Sequence, residues 1–285
     1  MSGAKVVVEV EGRQLGLSNL DKVLYPEVGF TKGQVIDYWT RIAPVMLPHL
    51  RDRAATRVRC PDGVEGERFF EKNRPRGTPE WVRTEEINGV DYVVVDDLPT
   101  LVWTANLAAL ELHTHQWRIG AKAPDQLVVD LDPGPPASVV ECCRVALMAR
   151  EHLVSLGLEP VVKTSGSKGL QVYAAAPAVD TNAFAKVLAE GLEQAHPDLV
   201  VSRMTKALRP GKVLVDWSQN NPSKTTVTPY SLRARPRPTV STPITWEEVE
   251  GCRVPEDLVF TTDDVLDRVS RHGDLFAGLL SPGRG

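Results

Sequence analysis

At 285 residues the chain is long enough for one large domain or two small ones, and with 42% hydrophobic and 25% charged residues it has the composition of a globular protein. The formal net charge of −4 excludes a surface that is basic throughout, as in a general nucleic-acid coat, but it does not exclude local basic patches. No apolar run approaches the roughly 20 residues of a membrane helix, and the four cysteines include no C-x-x-C pair. We therefore expect a soluble, cytoplasmic protein without a membrane span, a disulfide framework or a zinc site.

The first part of the chain alternates strand-like and helical segments. Residues 5–17 alternate as in a strand or hairpin, and Thr31 is the predicted N-cap of an amphipathic helix whose end Pro44 and Pro48 leave open. Residues 98–113 are predicted as one helical run, which places His113 at a helix end. Further strands are predicted over 54–60, 68–73 and 90–96.

The second part continues this alternation and adds hairpins. Strands are predicted over 126–132, 159–166, 169–176 and 212–220, with helices over 138–158 and 181–197. Strands that alternate with helices but also pair as hairpins indicate an α/β fold with a mixed sheet. The region beyond residue 252 is expected to be peripheral, with a frayed end.

Charge is segregated along the chain. Residues 201–240 contain eight lysines and arginines against the single acid Asp216, whereas residues 241–285 contain nine acids and four arginines. This distribution favours an anion-binding face and a solvated acidic tail.

The stretch "VVDLDPG" ends an apolar strand with two aspartates, Asp130 and Asp132. Residues two apart on a strand point the same way, so both carboxylates project from one face. If Asp216, which ends the strand "KVLVD", comes from a neighbouring strand, three carboxylates converge as they do in two-metal sites for Mg²⁺ or Mn²⁺. A solvated strand end, a phosphatase loop and a glycosyltransferase D-x-D are the alternatives. Proline and glycine directly after Asp132 break the phosphatase pattern, and a glycosyltransferase leaves the basic stretch unexplained.

The stretch "KTSGSKGL" joins two predicted strands through glycines and hydroxyl side chains. Such a turn can present successive N–H groups to an anion, and Ser165, Ser167 and Lys168 add donors for phosphate oxygens. No helix follows and the Walker A spacing is absent. The alternative is an ordinary hairpin turn; beside three metal-binding acids, a phosphate cradle indicates nucleotidyl transfer.

Together with "LSNLDKVLYP" and "LRPGKVLVDWSQNNPSKTTVTPYSLRARPRPTVSTPITWEEV", these motifs closely resemble the polymerase domain of bacterial ligase D, a member of the archaeo-eukaryotic primase superfamily. The resemblance covers roughly residues 5–270. It implies an α/β, primase-like catalytic core with mixed, largely antiparallel sheets flanked by helices. We expect a single domain over 1–270, a flexible tail over 271–285, and a stand-alone homologue or excised domain, since no ligase or phosphoesterase module is present.

The resemblance also implies a function and its partners. It predicts a template-dependent polymerase that prefers ribonucleotides, uses two Mn²⁺ or Mg²⁺ ions, and extends primers or fills gaps in non-homologous end joining. The expected partners are DNA ends, gaps and primer-templates with a 5′-phosphate, together with nucleoside or deoxynucleoside triphosphates, Ku and a separate ATP-dependent DNA ligase; the expected location is the nucleoid. A primase acting outside end joining is the alternative polymerase.

Site residues follow from the matching motifs. The metal ligands would be Asp130, Asp132 and Asp216, and the nucleotide would be bound by His113, Ser165, Ser167, Lys168, Gln171, Lys224 and Arg233. The 5′-phosphate pocket would be formed by Asn19, Lys22 and Lys32, and the template or primer would be contacted by Phe69, Phe70 and Arg209. From the strand pattern alone both phenylalanines are expected in the core, with only one able to face outward, for which Phe70 is favoured.

One position departs from the family pattern. The family's S-G-x-x-G-x-H motif usually ends in histidine, and Gln171 stands there in this chain. Glutamine can donate and accept hydrogen bonds but cannot carry a proton or a positive charge. This departure keeps open a weakly catalytic scaffold that binds DNA ends.

Overall fold

Strands and α-helices alternate along residues 5–280, which are the residues described by this computed structural model. The strands are β1 (Lys5–Val10), β2 (Arg13–Ser18), β3 (Val23–Tyr25), β4 (Phe30–Thr31), β5 (Ala54–Arg59), β6 (Phe69–Glu71), β7 (Thr84–Ile87), β8 (Val90–Val94), β9 (Ala109–Thr114), β10 (Gln126–Pro133), β11 (Val161–Thr164), β12 (Leu170–Ala175), β13 (Val200–Val201), β14 (Val213–Asp216), β15 (Thr226–Val227) and β16 (Pro243–Ile244). The α-helices are α1 (Lys32–Leu50), α2 (Leu98–Asn106), α3 (Val139–Ser155), α4 (Thr181–Ala195), α5 (Trp246–Gly251) and α6 (Thr262–His272).

The chain forms two compact units, each built from discontinuous segments. The first combines the chain up to Thr114 with Tyr230–Val240 and Thr261–Gly273. The second combines His115–Pro229 and Ser241–Phe260 with the segment from Asp274 onward. The single domain expected over 1–270 stays a prediction.

The first unit contains an antiparallel sheet and the helices α1, α2 and α6. Its strands follow the order β9-β5-β8-β7, and β6 pairs with Arg57–Arg59, beyond the residues of β5 that pair with β8. Thr31 caps α1 as predicted, because its hydroxyl accepts from the N–H of Gln34 and the Gln34 side chain accepts from the N–H of Thr31. The helix continues through Pro44 and Pro48 and ends at Leu50.

The helical run predicted over 98–113 was wrong in its second half. Helix α2 ends at Asn106, Ala108 has a left-handed φ of 58°, and the chain then continues as β9. The sequence Leu110-Glu111-Leu112-His113 alternates as a strand does, but it is only four residues long and directly follows an apolar helical run, so the pattern did not separate helix from strand. Pairing with β5 makes this segment a strand, and His113 therefore lies on a strand.

The second unit is built on a sheet of six strands in the order β13-β14-β10-β12-β11-β16. Alternate residues, among them Leu127, Val129 and Leu131 on β10, point into a core that is covered by α3, α4 and α5. The intervening residues of β10, which include Asp130 and Asp132, point to the opposite face. The sheet therefore separates its apolar core from its polar face by strand alternation.

The C-terminal segment packs onto the polar side of this sheet. Phe276 and Leu279 are buried with Val128 and Tyr173, and the rings of Phe276 and Tyr173 lie 5.6 Å apart, edge to face. The tail expected over 271–285 lies partly outside the described residues, at 281–285; its described part includes these two buried side chains.

The fold class predicted from the sequence is confirmed. Within residues 5–280 the pairing of β13 with β14 is parallel, and the other named pairings within each unit are antiparallel, with helices beside the sheets. None of the helices in this part of the chain has the length and apolar character that crossing a membrane requires.

Candidate active site

Four polar side chains lie in one row across the sheet of the second unit. Asp130 on β10 pairs with Asp216 on β14 and with Gln171 on β12. Gln171 in turn pairs with Lys163 on β11. Because paired residues on neighbouring strands point to the same face, these side chains share the polar face. We call the row Asp216–Asp130–Gln171–Lys163 the polar rung.

Three carboxylates meet at one end of the polar rung. Ligand oxygens of Asp130, Asp132 and Asp216 all lie within 4.8 Å of one another. Asp216 is oriented by Ser218, whose N–H and hydroxyl donate to Oδ1 at 3.0 and 2.6 Å, and by Gln219, whose amide donates to Oδ2 at 2.9 Å. The convergence of three carboxylates predicted from the two strand ends is confirmed.

The electrostatics of this cluster fit a divalent cation. Burial, and then the charges of Asp132 and Asp216, raise the pKa of Asp130 from 3.8 to about 8, although the Gln171 hydrogen bond and the Lys163 charge lower it. Carboxylates held this close repel one another until a cation lies between them. Hard oxygen donors are the ligands that Mg²⁺ and Mn²⁺ prefer. The donor set therefore suits a divalent cation of this class.

Lys163 is a member of the polar rung that the sequence patterns did not single out. It is fully buried, and its ammonium donates to Oε1 of Gln171 at 2.5 Å and to Oγ of Ser241 at 2.6 Å. The Gln171 amide donates onward to Oδ1 of Asp130 at 2.9 Å. The available signal was a lysine inside the apolar strand "VVKT", because a lysine is almost never buried without partners.

The glycine-rich loop between β11 and β12 packs directly against β10. A Cβ at Gly169 would lie 1.9 Å from the carbonyl oxygen of Leu131, the residue between the two aspartates, so glycine is required for this approach. The Ser165 hydroxyl accepts from the N–H groups of Ser167 and Gly169 at 3.3 and 3.1 Å. These two N–H groups, expected to face an anion, instead close the loop.

The remaining side chains predicted to hold the triphosphate in this unit are accessible. Ser167 and Lys168 are exposed at the tip of the glycine-rich loop, and Lys224 is exposed in the turn after the Asp216 strand. They are free of the strand pairing that fixes the polar rung, so each side chain can reorient toward an anion.

Arg209 lies in a loop that is fastened to the end of β10. The N–H of Gly134 donates to the Lys212 carbonyl at 2.8 Å, and the N–H of Gly211 donates back to the Gly134 carbonyl at 2.9 Å. A Cβ at Gly134 would lie 2.1 Å from the Arg209 carbonyl oxygen. The Arg209 guanidinium donates to the Met204 carbonyl at 2.7 Å. The "DPG" turn therefore holds this basic loop beside the acidic strand.

In the first unit, a buried carboxylate joins two of the predicted nucleotide ligands. Glu111 lies 2.7 Å from Nε2 of His113 and 3.2 Å from Nε of Arg233, and it accepts from the N–H of Ala234 at 2.8 Å. Burial raises its pKa, but the hydrogen bond with His113 and the charge of Arg233 outweigh burial and lower it from 4.5 to about 2. Glu111 was not predicted from the sequence; its signal was an acid between two leucines, two residues before His113.

Replacing Glu111 by Gln is expected to lower the free energy of unfolding by roughly 2–3 kcal/mol at neutral pH. A carboxyl whose pKa falls from 4.5 to about 2 on folding stabilises the protein fully above pH 4.5 and loses this effect as the pH falls toward 2. Urea unfolding at neutral pH and at about pH 3 measures both effects. Glu86→Gln, at an exposed position of the same unit, serves as the control. A Glu111→Gln variant as stable as the control at neutral pH would contradict the assigned role.

Phe69 and Phe70 are both exposed, contrary to the expectation that both lie in the core and that one at most faces outward. Their exposed fractions are 38% and 58%. Strand β6 is only three residues long and no side chain of it is buried, so the alternation of a covered sheet does not apply. The ring of Phe70 lies 5.9 Å from that of His113, edge to face.

The three residues of the predicted 5′-phosphate pocket are brought together at the start of α1. The N–H of Lys22 donates to the Asn19 carbonyl at 3.0 Å, and the N–H of Lys32 donates to the Lys22 carbonyl at 2.8 Å. Burial, with the charge of Lys22, lowers the pKa of Lys32 from 10.5 to about 8. Lys22 pairs with Asp62 at 2.7 Å on the surface.

The helix terminus itself contributes less to this pocket than the sequence suggested. The first three N–H groups of α1 donate to the Lys22 carbonyl, the Leu20 carbonyl and the Thr31 hydroxyl. An anion there would therefore be bound by ammonium groups rather than by unpaired helical N–H groups.

The predicted site residues are divided between the two units. The first contains Asn19, Lys22, Lys32, Phe69, Phe70, His113 and Arg233, and the second contains Asp130, Asp132, Ser165, Ser167, Lys168, Gln171, Arg209, Asp216 and Lys224. In the first unit the structure brings together Asn19, Lys22 and Lys32, and at another place Glu111, His113 and Arg233. In the second unit it brings together the polar rung and Asp132.

Sequence comparisons connect this geometry with known proteins. A family model described as LigD, primase-polymerase domain, matches residues 31–276. The multifunctional non-homologous end joining protein LigD of Mycolicibacterium smegmatis is 44% identical over 274 residues, covering 92% of this chain and 36% of that protein. The bifunctional LigD of Bacillus subtilis is 32% identical over 265 residues, covering 91% of this chain and 43% of that protein. The chain thus spans less than half the length of these curated relatives.

A solved structure supports the same assignment. The polymerase domain of Mycobacterium tuberculosis ligase D, in complex with DNA, matches with a TM-score of 0.87 and 42% identity, covering 93% of this chain and 98% of that one. Fold, sequence and family model agree over almost the whole chain, which confirms the resemblance inferred from the motifs. The chain belongs to the family of LigD primase-polymerase domains.

Proposed function

We propose that the chain is a template-dependent nucleotidyltransferase that extends primers and fills gaps at DNA ends during non-homologous end joining, with a preference for ribonucleotides. The observation that carries the proposal is the cluster of Asp130, Asp132 and Asp216, whose ligand oxygens lie within 4.8 Å of one another. The glycine-rich loop packs against the same strand. Membership of a family of primase-polymerase domains, and likeness to a polymerase domain in complex with DNA, support it.

In this proposal Asp130, Asp132 and Asp216 hold two divalent cations, of which Mn²⁺ is the favoured one. When bound, these ions supply activation of the primer 3′-hydroxyl and neutralisation of charge on the α-phosphate and the leaving pyrophosphate. Gln171 steadies Asp130 from the neighbouring strand. No side chain has to form a covalent intermediate.

Basic and hydroxyl side chains bind the incoming triphosphate in this scheme. Ser165, Ser167, Lys168 and Lys224 are proposed as its ligands, and so are His113 and Arg233. Glu111 keeps His113 and Arg233 in place, as its contacts with both indicate. Phe69 and Phe70 offer exposed rings on which template bases can stack, at about 1–3 kcal/mol per base, and Arg209 contacts the primer or template.

The end-joining role adds recognition of the downstream strand. Lys22, Lys32 and Asn19 would bind its 5′-phosphate, because two ammonium groups that repel each other gain from an anion between them. Ku, a separate ATP-dependent DNA ligase and a cytoplasmic, nucleoid-associated location belong to this proposal as well. The relatives that are named as end-joining LigD proteins are longer than this chain, which covers 36% and 43% of two of them.

Primer extension on a short gapped duplex with Mn²⁺ tests the proposal. Incorporation is expected to be templated, faster with ribonucleotides, and faster with a downstream 5′-phosphate than with a 5′-hydroxyl. Lys32→Ala is expected to reduce the preference for the phosphate on the order of tenfold, as the loss of a charge-assisted hydrogen bond does. Arg41→Ala, at an exposed cation of the same helix, should leave the preference unchanged.

The possible outcomes separate the parts of the proposal. Extension at the same rate with a downstream 5′-phosphate and a 5′-hydroxyl would contradict the proposed phosphate pocket and favour a primase outside end joining. Bound DNA without any incorporation would favour the scaffold. Incorporation that is independent of the template would contradict the polymerase assignment.

A further inference from the structure

The fully buried lysine of the polar rung cannot touch a nucleotide or a DNA strand, because no part of its side chain reaches solvent. It nevertheless lies two hydrogen bonds from Asp130, through the side chain of Gln171. Its ammonium also donates to the Ser241 hydroxyl, which itself donates to the Thr164 carbonyl at 2.9 Å, and it lies 5.7 Å from the centre of the Tyr173 ring. Lys163 is therefore held at the end of β11, and its hydrogen-bonded connection to Asp130 runs through Gln171.

The hydrogen bonds of this chain of groups have only one possible polarity. An ammonium donates and cannot accept, so the glutamine end that faces Lys163 is the carbonyl oxygen. Asp130 must be ionised to bind a cation, and an ionised carboxylate accepts and cannot donate, so in that state the end that faces it is the NH₂ group. With both ends fixed, the amide cannot turn over, and it commits Oδ1 of Asp130 to its own N–H.

We propose that Lys163 is a positioning residue of the metal site, which acts through the Gln171 amide to hold Asp130 with Oδ2 left to bind the cation. Among residues 5–280, Gln171 is the one side chain that donates to Asp130. The inference rests on the proposed function, since it assigns Lys163 a role toward the cation that the three carboxylates would bind.

The same polarity explains how glutamine replaces histidine at this position. A neutral imidazole accepts at one ring nitrogen and donates from the other, so it fits between an ammonium and a carboxylate just as the amide does. Gln171→His preserves the direction of both hydrogen bonds, whereas Gln171→Leu removes them. The position therefore requires one acceptor and one donor, and it does not require a positive charge.

A double-mutant cycle on Mn²⁺ binding tests the inference. The dissociation constant of Mn²⁺ alone, measured from the paramagnetic resonance of the free ion, is compared for wild type, Lys163→Met, Gln171→Leu and the double variant. Each single variant is expected to bind on the order of tenfold more weakly, and the double variant no more weakly than Gln171→Leu. Gln171→His should bind within about threefold of wild type. Lys122→Met, at an exposed lysine of the same unit, is the control.

Several results would overturn the inference. Additive losses in the double variant would mean that Lys163 acts as a separate charge, and tighter binding by Lys163→Met would mean that it merely repels the cation. If Lys163→Met does not fold, equal Mn²⁺ affinities of Gln171→His and Gln171→Leu overturn the role of the amide polarity. Failure of the folded wild type to bind Mn²⁺ would instead remove the metal site itself, and the proposed function with it.

Discussion

Replacing Asp130 by Asn is expected to reduce primer extension by a factor on the order of 10³ or more, because it removes the most buried of the three carboxylates that would hold the cations. The asparagine oxygen can still accept from Gln171, so the loss reflects the missing charge rather than a cavity. Extension with Mn²⁺ is the measurement, and Asp198→Asn, at an exposed acid of the same unit, is the control. Extension within tenfold of wild type would contradict the assignment of Asp130 as a metal ligand.

The same substitution is expected to stabilise the metal-free protein at alkaline pH. A carboxyl whose pKa rises from 3.8 to about 8 on folding contributes its full stability below about pH 4 and loses it as the pH rises toward 8. Asparagine carries no charge, so in EDTA the variant should match wild type at about pH 4 and melt roughly 5–10 °C higher at about pH 8.5. If wild type and the variant melted at the same temperature at both pH values, ionisation of the buried carboxyl would not destabilise the folded protein.

Adding a single methyl group at Gly169 is expected to lower the free energy of unfolding by about 1–3 kcal/mol and to reduce extension on the order of tenfold or more. The new Cβ would lie 1.9 Å from the Leu131 carbonyl oxygen and 3.3 Å from Cδ of Pro133. The loop and β10 must then separate, which moves the aspartates on either side of Leu131. Urea unfolding, and extension well below the melting temperature, measure the two effects.

Gly191→Ala is the matched control for that experiment. Gly191 lies within α4 and no atom lies within 4 Å of a Cβ built there. The methyl group should stabilise the helix by about 0.5–1 kcal/mol and leave extension unchanged. Wild-type stability and wild-type extension in Gly169→Ala would show that the loop can move away from β10 without consequence.

Much of the fold follows from patterns that one sequence contains. The N-cap at Thr31, the strands that flank the glycine-rich loop and the strand that contains Asp216 were each predicted, because capping and alternation are local signals. The last of these strands was predicted to reach residue 220, but it ends at Asp216 and a 3₁₀ helix follows over Trp217–Asn220. The strand over 109–114 was predicted as helix, since its alternation spans only four residues and directly follows an apolar helical run. Its conformation is decided by pairing with β5, which lies far away in the sequence and leaves no local signal.

The candidate site could be predicted from the sequence only where its residues lie on the same strand. The shared face of Asp130 and Asp132 follows from the spacing of two residues, and their meeting with Asp216 required one assumption about neighbouring strands. Lys163 and Glu111 were missed because their roles depend on partners across the sheet or at distant positions. Exposure of both phenylalanines depends on the absence of cover over β6, which no local pattern encodes.

The polar rung has a thermodynamic consequence for the whole second unit. It shares Asp130 and Asp216 with the cluster of carboxylates, and that cluster exists only after β10 and β14, which lie far apart in the sequence, have paired. A cation bound there would have no equivalent site in the unfolded chain, and it would raise the free energy of unfolding of the entire sheet by mass action. An ion bound at the β10–β14 pair would thereby also protect the other strands of the same sheet from opening.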